Sequence, residues 1–153
     1  MNIRPKTVVT MHVNANCPSH SRTDVTVRDT ALIIDEPAER GGTNAGPAPT
    51  EVMVASLAGC TNTILNKCAH AHGVEVHALS IIIDAKFDRR GVTLQEEIDL
   101  PFPEMLLKIT LTTPANAAAI EQVKTDLARF CPVSKVIRQA GTIINEEWTI
   151  TRP

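Results

Sequence analysis

Four side chains in this sequence can do covalent chemistry as thiols: Cys17, Cys60, Cys68 and Cys131. Two helix-borne thiols far apart in sequence can reduce a peroxide. One thiolate attacks the peroxide oxygen and becomes a sulfenic acid. A second thiol condenses with it to a disulfide, and an external dithiol restores both. The attacking thiolate needs exposure and a cation or a helix N-terminus close by.

Cys131 precedes Pro132, a residue suited to the first helical position, so Cys131 falls at or next to an N-cap. Unpaired N–H groups there favour an anion and lower a thiol pKa. The competing reading is a buried apolar cysteine closing a turn between two helices. Cys60 follows Gly59 inside a long helical pattern, and the glycine clears space beside the sulfur for a substrate or for a close-packed neighbour. Taken alone, Cys60 also fits a core position. Arg40, in the polar loop running to Asn44, is the candidate cation; its competing reading is a solvated surface charge. Glu51 lies nine residues before Cys60. Nine steps of ~100° place it about 180° away on the helix, so it would face the glycine-rich loop or a second subunit instead.

The remaining candidates are weaker. Cys68 and His72 stand four apart on one helix face and could touch one metal, and Cys17 and His20 form a lone C-x-x-H, but neither completes a tetrahedral set. No metal and no cofactor is therefore expected. The loop Arg40-Gly41-Gly42-Thr43-Asn44-Ala45-Gly46 resembles a phosphate loop in composition only, without the Gly-Lys-Ser/Thr ending or the G-x-G-x-x-G spacing. The neighbours Glu96-Glu97 and Glu146-Glu147 point apart and read as solvated face residues.

The elements that must hold these thiols follow from periodicity. Val9, Met11, Val13 and Ala15 alternate with polar residues as a first strand, and Val25 and Val27 mark a second. A turn near Asp29-Thr30 leads to a third around Leu32 to Ile34. Glu36 to Pro49 holds three glycines and three prolines and reads as a loop. A helix from about Pro49 to His72, closed by Gly73, has apolar residues at three- and four-residue steps and few polar ones, which predicts a central position. Val76 to Phe87 alternates as a strand, and Val92 to Pro103 reads as loop. Met105, Leu107, Ile109 and Leu111 mark the next strand. Ile120, Val123, Leu127 and Phe130 mark an amphipathic helix, Pro132 to Gln139 a short one, and Ile144, Trp148 and Ile150 a last strand. The order is β-β-β-α-β-β-α-α-β, an α+β fold in one domain over residues 1–153. Three strands and a helix leave the long helix incompletely covered, which points to a second copy completing the fold.

Composition narrows the function classes. Hydrophobic residues make up 43% and charged residues 21% of the 153, the profile of a folded globular chain. Fifteen Lys+Arg against seventeen Asp+Glu gives a formal charge of −2, which supports neither nucleic-acid binding nor a basic membrane face. No apolar run reaches membrane-spanning length. Met1 to Lys6 is basic but is followed by no apolar core, so no export signal is read and the cytoplasm is expected.

The segment Gly41-Gly42-Thr43-Asn44-Ala45-Gly46-Pro47-Ala48-Pro49-Thr50-Glu51, continuing through Gly59-Cys60-Thr61, resembles the OsmC/Ohr superfamily when joined to the distant Cys131-Pro132-Val133-Ser134-Lys135. The resemblance covers nearly the whole chain. It implies an intertwined homodimer with long central helices and active sites shared between subunits. It also implies a cysteine-based peroxidase acting on organic hydroperoxides through a Cys60–Cys131 disulfide, reset by a dithiol such as a lipoylated protein. Cys60 would be the peroxidatic and Cys131 the resolving cysteine, with Arg40 and Glu51 as candidate supporting residues. The best-characterised members carry a glutamate ten residues before the peroxidatic cysteine; here Thr50 stands there and Glu51 follows. The alternative on the same scaffold is a non-catalytic small-molecule binding or redox-sensing dimer.

Overall fold

The computed structural model describes residues 7–153; the basic N-terminal stretch read above, residues 1–6, lies outside them. The chain forms two compact units, one ending at Met53 and the other Val54–Pro153.

The first unit carries an antiparallel meander of β1 (Asn14–Asn16), β2 (Thr23–Val27) and β3 (Thr30–Ile34). Val27 pairs with Thr30, so the turn is centred on Arg28-Asp29, one residue earlier than expected. Arg28 adopts a positive φ of 56° there, and the Thr30 hydroxyl donates to the Val27 carbonyl at 2.7 Å. The expected strand from Val9 is cut to three residues. Asn14 already faces Thr26, so Val13 would face the last residue of β2 and Met11 would lie opposite the turn. With no backbone partner beyond that point the ladder stops, and Val9 and Met11 stay 71% and 85% exposed.

Glu36 to Ala48 folds around one buried acid. The Asp35 carboxylate accepts from the Glu36, Thr43 and Ala45 peptide N–H groups and from the Thr43 hydroxyl at 2.6 to 3.1 Å. These donors, led by the Thr43 hydroxyl, hold its pKa far below the ordinary carboxylate range. Two glycines permit the wrap by close approach: a Cβ on Gly42 would lie 1.8 Å from the Glu36 carbonyl oxygen, and one on Gly46 2.1 Å from that of Ile33. The loop delivers the chain to α1 (Pro49–Ala71), which begins in this unit.

The second unit packs α1 from Val54 onward with α2 (Ala117–Phe130) and α3 (Pro132–Gln139) against a sheet of order β4 (Ala78–Ala85), β5 (Glu104–Thr112), β6 (Ile143–Thr151). β4 pairs antiparallel with β5, whereas β6 runs parallel to β5, with α2 and α3 forming the crossover that a parallel pair requires. The core lies along the central strand. Met105, Leu107, Ile109 and Leu111 of β5 meet Val123 and Leu127 of α2, Leu57 and Leu65 of α1, and Ile144 of β6. The alternating face Leu79, Ile81, Ile83 and Ala85 packs against this cluster as partly buried residues. Residues 92–103 contain neither helix nor strand, and Phe102 near their end stacks on Phe87, which follows β4, 4.8 Å between ring centroids. One core expectation fails: Phe130 is 57% exposed, its ring lying beneath the Arg129 guanidinium. The α2 helix ends at Phe130, and the next residue, Cys131, takes the buried place instead.

Candidate active site

Cys131 is fixed by the junction of two helices. Asn116 starts α2 by accepting the Ala119 N–H at 2.9 Å. At the other end the Cys131 N–H donates to the Leu127 carbonyl at 3.1 Å, and the Cys131 carbonyl accepts the Lys135 N–H at 3.0 Å. Cys131 thus closes α2 and is the N-cap of α3, with extended backbone (φ −70°, ψ 107°). Pro132 enforces the break, since it has no N–H to continue α2 and suits the first position of α3.

The Cys131 thiol is 1% exposed and donates to the Cys60 sulfur, Sγ to Sγ 3.1 Å, across seventy-one residues of sequence. Cys60 sits in the middle of α1 and is partly exposed. A Cβ placed on the neighbouring Gly59 would meet no atom within 4 Å among the described residues beyond its own stretch of helix.

The electrostatics at Cys131 depart from the helix-terminus expectation. Burial is the largest influence and pushes the thiol up to about 11. The peptide N–H groups of Ser134 and Val133 favour the anion, but they close no capping hydrogen bond and are outweighed. The adjacent Cys60 sulfur adds to the upward shift. Cys131 is therefore a protonated thiol at neutral pH, while the accessible sulfur of the pair is Cys60. On two-electron oxidation of the pair, only a small approach of the two sulfurs is needed to reach the disulfide bond length of about 2.05 Å.

The other predicted residues lie in the first unit with partners of their own. Arg40 ends a short 3-10 turn (Ala38–Arg40), and its Nε pairs with Glu36 Oε2 at 3.0 Å. Glu51 reaches back to the start of α1, where its carboxylate accepts the Ala48 N–H at 2.8 Å, half of a capping box. Glu51 thus turns to the loop side, one of the two directions left open above, and Thr50 is only partly buried beside it.

Cys68 is buried, and its thiol is raised by burial and by the Asp126 charge. His72, its would-be metal partner, pairs with Asp126 at 2.8 Å. Cys17 is exposed with Thr23 Oγ1 3.9 Å away. Among the described residues no group of three or more His, Cys, Asp or Glu side chains could hold a metal ion, and no helix is long and apolar enough to cross a membrane.

Sequence reasoning missed two groups. Asp35 organises the glycine-rich loop; an acid placed between an apolar strand and a glycine cluster was the available signal. Glu146, read as solvated, accepts from Trp148 Nε1 at 3.0 Å and from Arg138 at 3.3 Å, whereas its neighbour Glu147 is exposed. On a strand, adjacent residues face opposite ways, and only Glu146 turns toward α3.

The fold recurs in solved proteins. The OsmC-like protein from Mycoplasma pneumoniae superposes with a TM-score of 0.78 at 16% identity, over 94% of this chain and 98% of that one. The organic hydroperoxide resistance protein OsmC from Legionella pneumophila gives 0.66 at 17%, over 95% and 99%. The organic hydroperoxide resistance protein OhrB of Bacillus subtilis gives 0.57 at 17%, over 93% and 98%. No curated protein sequence matches the chain significantly. The model of the family described as OsmC-like protein matches residues 42–147, which takes in Gly42, Gly46, Cys60 and Cys131, and the chain therefore belongs to the OsmC-like family.

Proposed function

We propose that this chain is a cysteine-based thiol peroxidase for organic hydroperoxides, working in the cytoplasm as a homodimer built from one OsmC-like domain per chain. The observation that carries the proposal is the 3.1 Å approach of Cys60 and Cys131, one sulfur accessible and the other buried as a thiol. The Cys60 thiolate attacks the outer peroxide oxygen. The O–O bond breaks, the alcohol leaves with a proton, and Cys60 becomes a sulfenic acid. The Cys131 thiol then condenses with it, forming the Cys60–Cys131 bond and releasing water. An external dithiol, such as a lipoylated protein, supplies two electrons and two protons to restore both thiols. Arg40 is the candidate cation for the thiolate and Glu51 its candidate carboxylate partner. Two structural relatives carry organic hydroperoxide resistance in their names, which favours that substrate class.

One equivalent of cumene hydroperoxide should remove the thiols of Cys60 and Cys131 together, with the disulfide found by peptide mass spectrometry. Retention of both thiols would end this reading. A specific observation favours the alternative of a non-catalytic redox-sensing or small-molecule-binding dimer: Arg40 is paired with Glu36, and Glu51 is engaged in capping α1. The two readings separate on turnover. A peroxidase consumes hydroperoxide continuously with dihydrolipoamide or reduced thioredoxin, whereas a sensor reacts once and stops.

A further inference from the structure

Arg138, in the last turn of α3, makes three contacts that join the first turn of that helix to strand β6. Its Nε donates to Ser134 Oγ at 3.3 Å, its Nη1 to the Ile144 carbonyl at 3.0 Å, and its Nη2 to Glu146 Oε1 at 3.3 Å. Glu146 is held from its other oxygen by Trp148 Nε1 at 3.0 Å. Ser134 is buried and stands three residues after Cys131, in the first turn of α3. The guanidinium fork therefore ties the turn that carries the Cys131 sulfur to strand β6, which is itself locked in the core by its ladder with β5. The α3 helix has only eight residues, buries only Ser134 and Ile137, and leaves Val136 67% exposed, so apolar packing alone fixes it weakly.

We propose that Arg138 is a positioning residue, with Glu146 as its anchor, that holds the start of α3 so that the Cys131 sulfur meets Cys60 when the disulfide closes. The assignment rests on the Cys60–Cys131 pair of the preceding section but concerns the closing step alone, whatever oxidant starts it. Arg138 touches neither sulfur and acts through Ser134 and the α3 backbone. Its planar fork reaches three acceptors at once, which a lysine ammonium cannot match in direction. The same chain of contacts ends at Trp148, the only tryptophan in the sequence, so closure should register in its fluorescence.

The test compares the full-length wild type with Arg138→Met, Arg138→Lys and Glu146→Gln. Formation of the Cys60 sulfenic acid is followed by dimedone trapping after one equivalent of cumene hydroperoxide. Disulfide closure is followed by thiol loss and tryptophan emission. Closure is measured a second time with diamide, which takes two electrons and two protons from the thiol pair and becomes a hydrazine. Arg138→Met should slow closure about tenfold with either oxidant, since ~1 Å of misplacement costs up to ~10²-fold in a positioned reaction. The rate of sulfenic acid formation should hold, so dimedone adduct accumulates. Lysine should recover part of the loss, and Glu146→Gln should give a smaller slowing. Unchanged closure in every variant that folds overturns the assignment, even where melting temperatures fall. Should the wild type close with diamide yet ignore hydroperoxide, the peroxidase reading fails while Arg138 is still judged on the diamide rates.

Discussion

At Cys131 two opposing effects act on one sulfur. The first turn of α3 offers N–H groups that favour a thiolate, and the surrounding core disfavours any charge. Burial wins, and the pKa rises from 9.0 to about 11. The division of labour follows: the accessible Cys60 can meet a substrate, and Cys131 waits as a thiol that can supply its proton on closure. In a Cys60→Ser variant, alkylation of Cys131 should be slow at about pH 8 and climb roughly tenfold per pH unit, without a plateau before about pH 10. A plateau below pH 9.0 would mean that the helix terminus dominates after all. The sign of the linkage is also defined. A raised thiol pKa stabilises the folded state fully below the unfolded value, and this contribution is lost as pH climbs toward about 11. This residue also marks a limit of sequence reading. Its placement between two helices was legible from Cys-Pro, but its charge state was not, because burial depends on which strands and helices enclose the junction.

At the scale of elements, the ones with a strong internal period were legible. The alternation of β5 and β6 and the stripe Leu57, Thr61, Leu65, Cys68 on α1 appear where the pattern put them, and β4 keeps its alternation but only over Ala78–Ala85 of the expected Val76 to Phe87. The elements missed or mis-sized depend on non-local partners. The β1 ladder is limited by the end of β2, which no property of residues 8–13 reveals, and Phe130 loses its core place because Cys131, the next residue, occupies the buried position at the junction of α2 and α3. The loop before α1 is the sharpest case, since glycines and prolines announced irregular backbone while the acid that organises it went unread. Its prediction is direct. Asp35→Asn keeps the shape but removes the charge, so melting at neutral pH should fall by several degrees. A lowered carboxylate pKa gives stability that is present above the ordinary 3.8 and is lost as pH drops below it. The wild type should therefore lose melting temperature on acidification through about pH 4, and the asparagine variant should lose distinctly less. Parallel pH slopes, followed by circular dichroism, would dismiss Asp35 as the loop's organiser. Gly42→Ala should be more damaging, because its Cβ would sit against the Glu36 carbonyl oxygen with only backbone to yield.

For the molecule as a whole, the unresolved balance lies along α1. The helix buries Leu57, Thr61, Leu65, Cys68 and Ala69, but Ala55, Gly59, Asn62, Thr63 and Asn66 remain exposed, and among the described residues no atom beyond its own stretch of helix lies within 4 Å of a Cβ placed at Gly59. A 23-residue helix with so few charges is an unusual choice for a solvent-facing surface. If a second copy covers that surface, as the family resemblance implies, the purified protein should elute at about twice the 16.6 kDa chain mass at micromolar concentration. Gly59→Leu then tests the surface itself. A Cβ there meets no atom within 4 Å among the described residues beyond its own stretch of helix, and leucine replaces a poor helix former, so the substitution should hold or raise the melting temperature of an isolated subunit. Across a close helix–helix contact the same leucine would collide, so light scattering should show a shift toward monomer with far-UV helicity retained. A wild type that is monomeric at all concentrations removes the dimer. A leucine variant that dimerises as tightly as the wild type moves the contact away from Gly59, and with it the idea that the open face of α1 at Gly59 belongs to a subunit boundary.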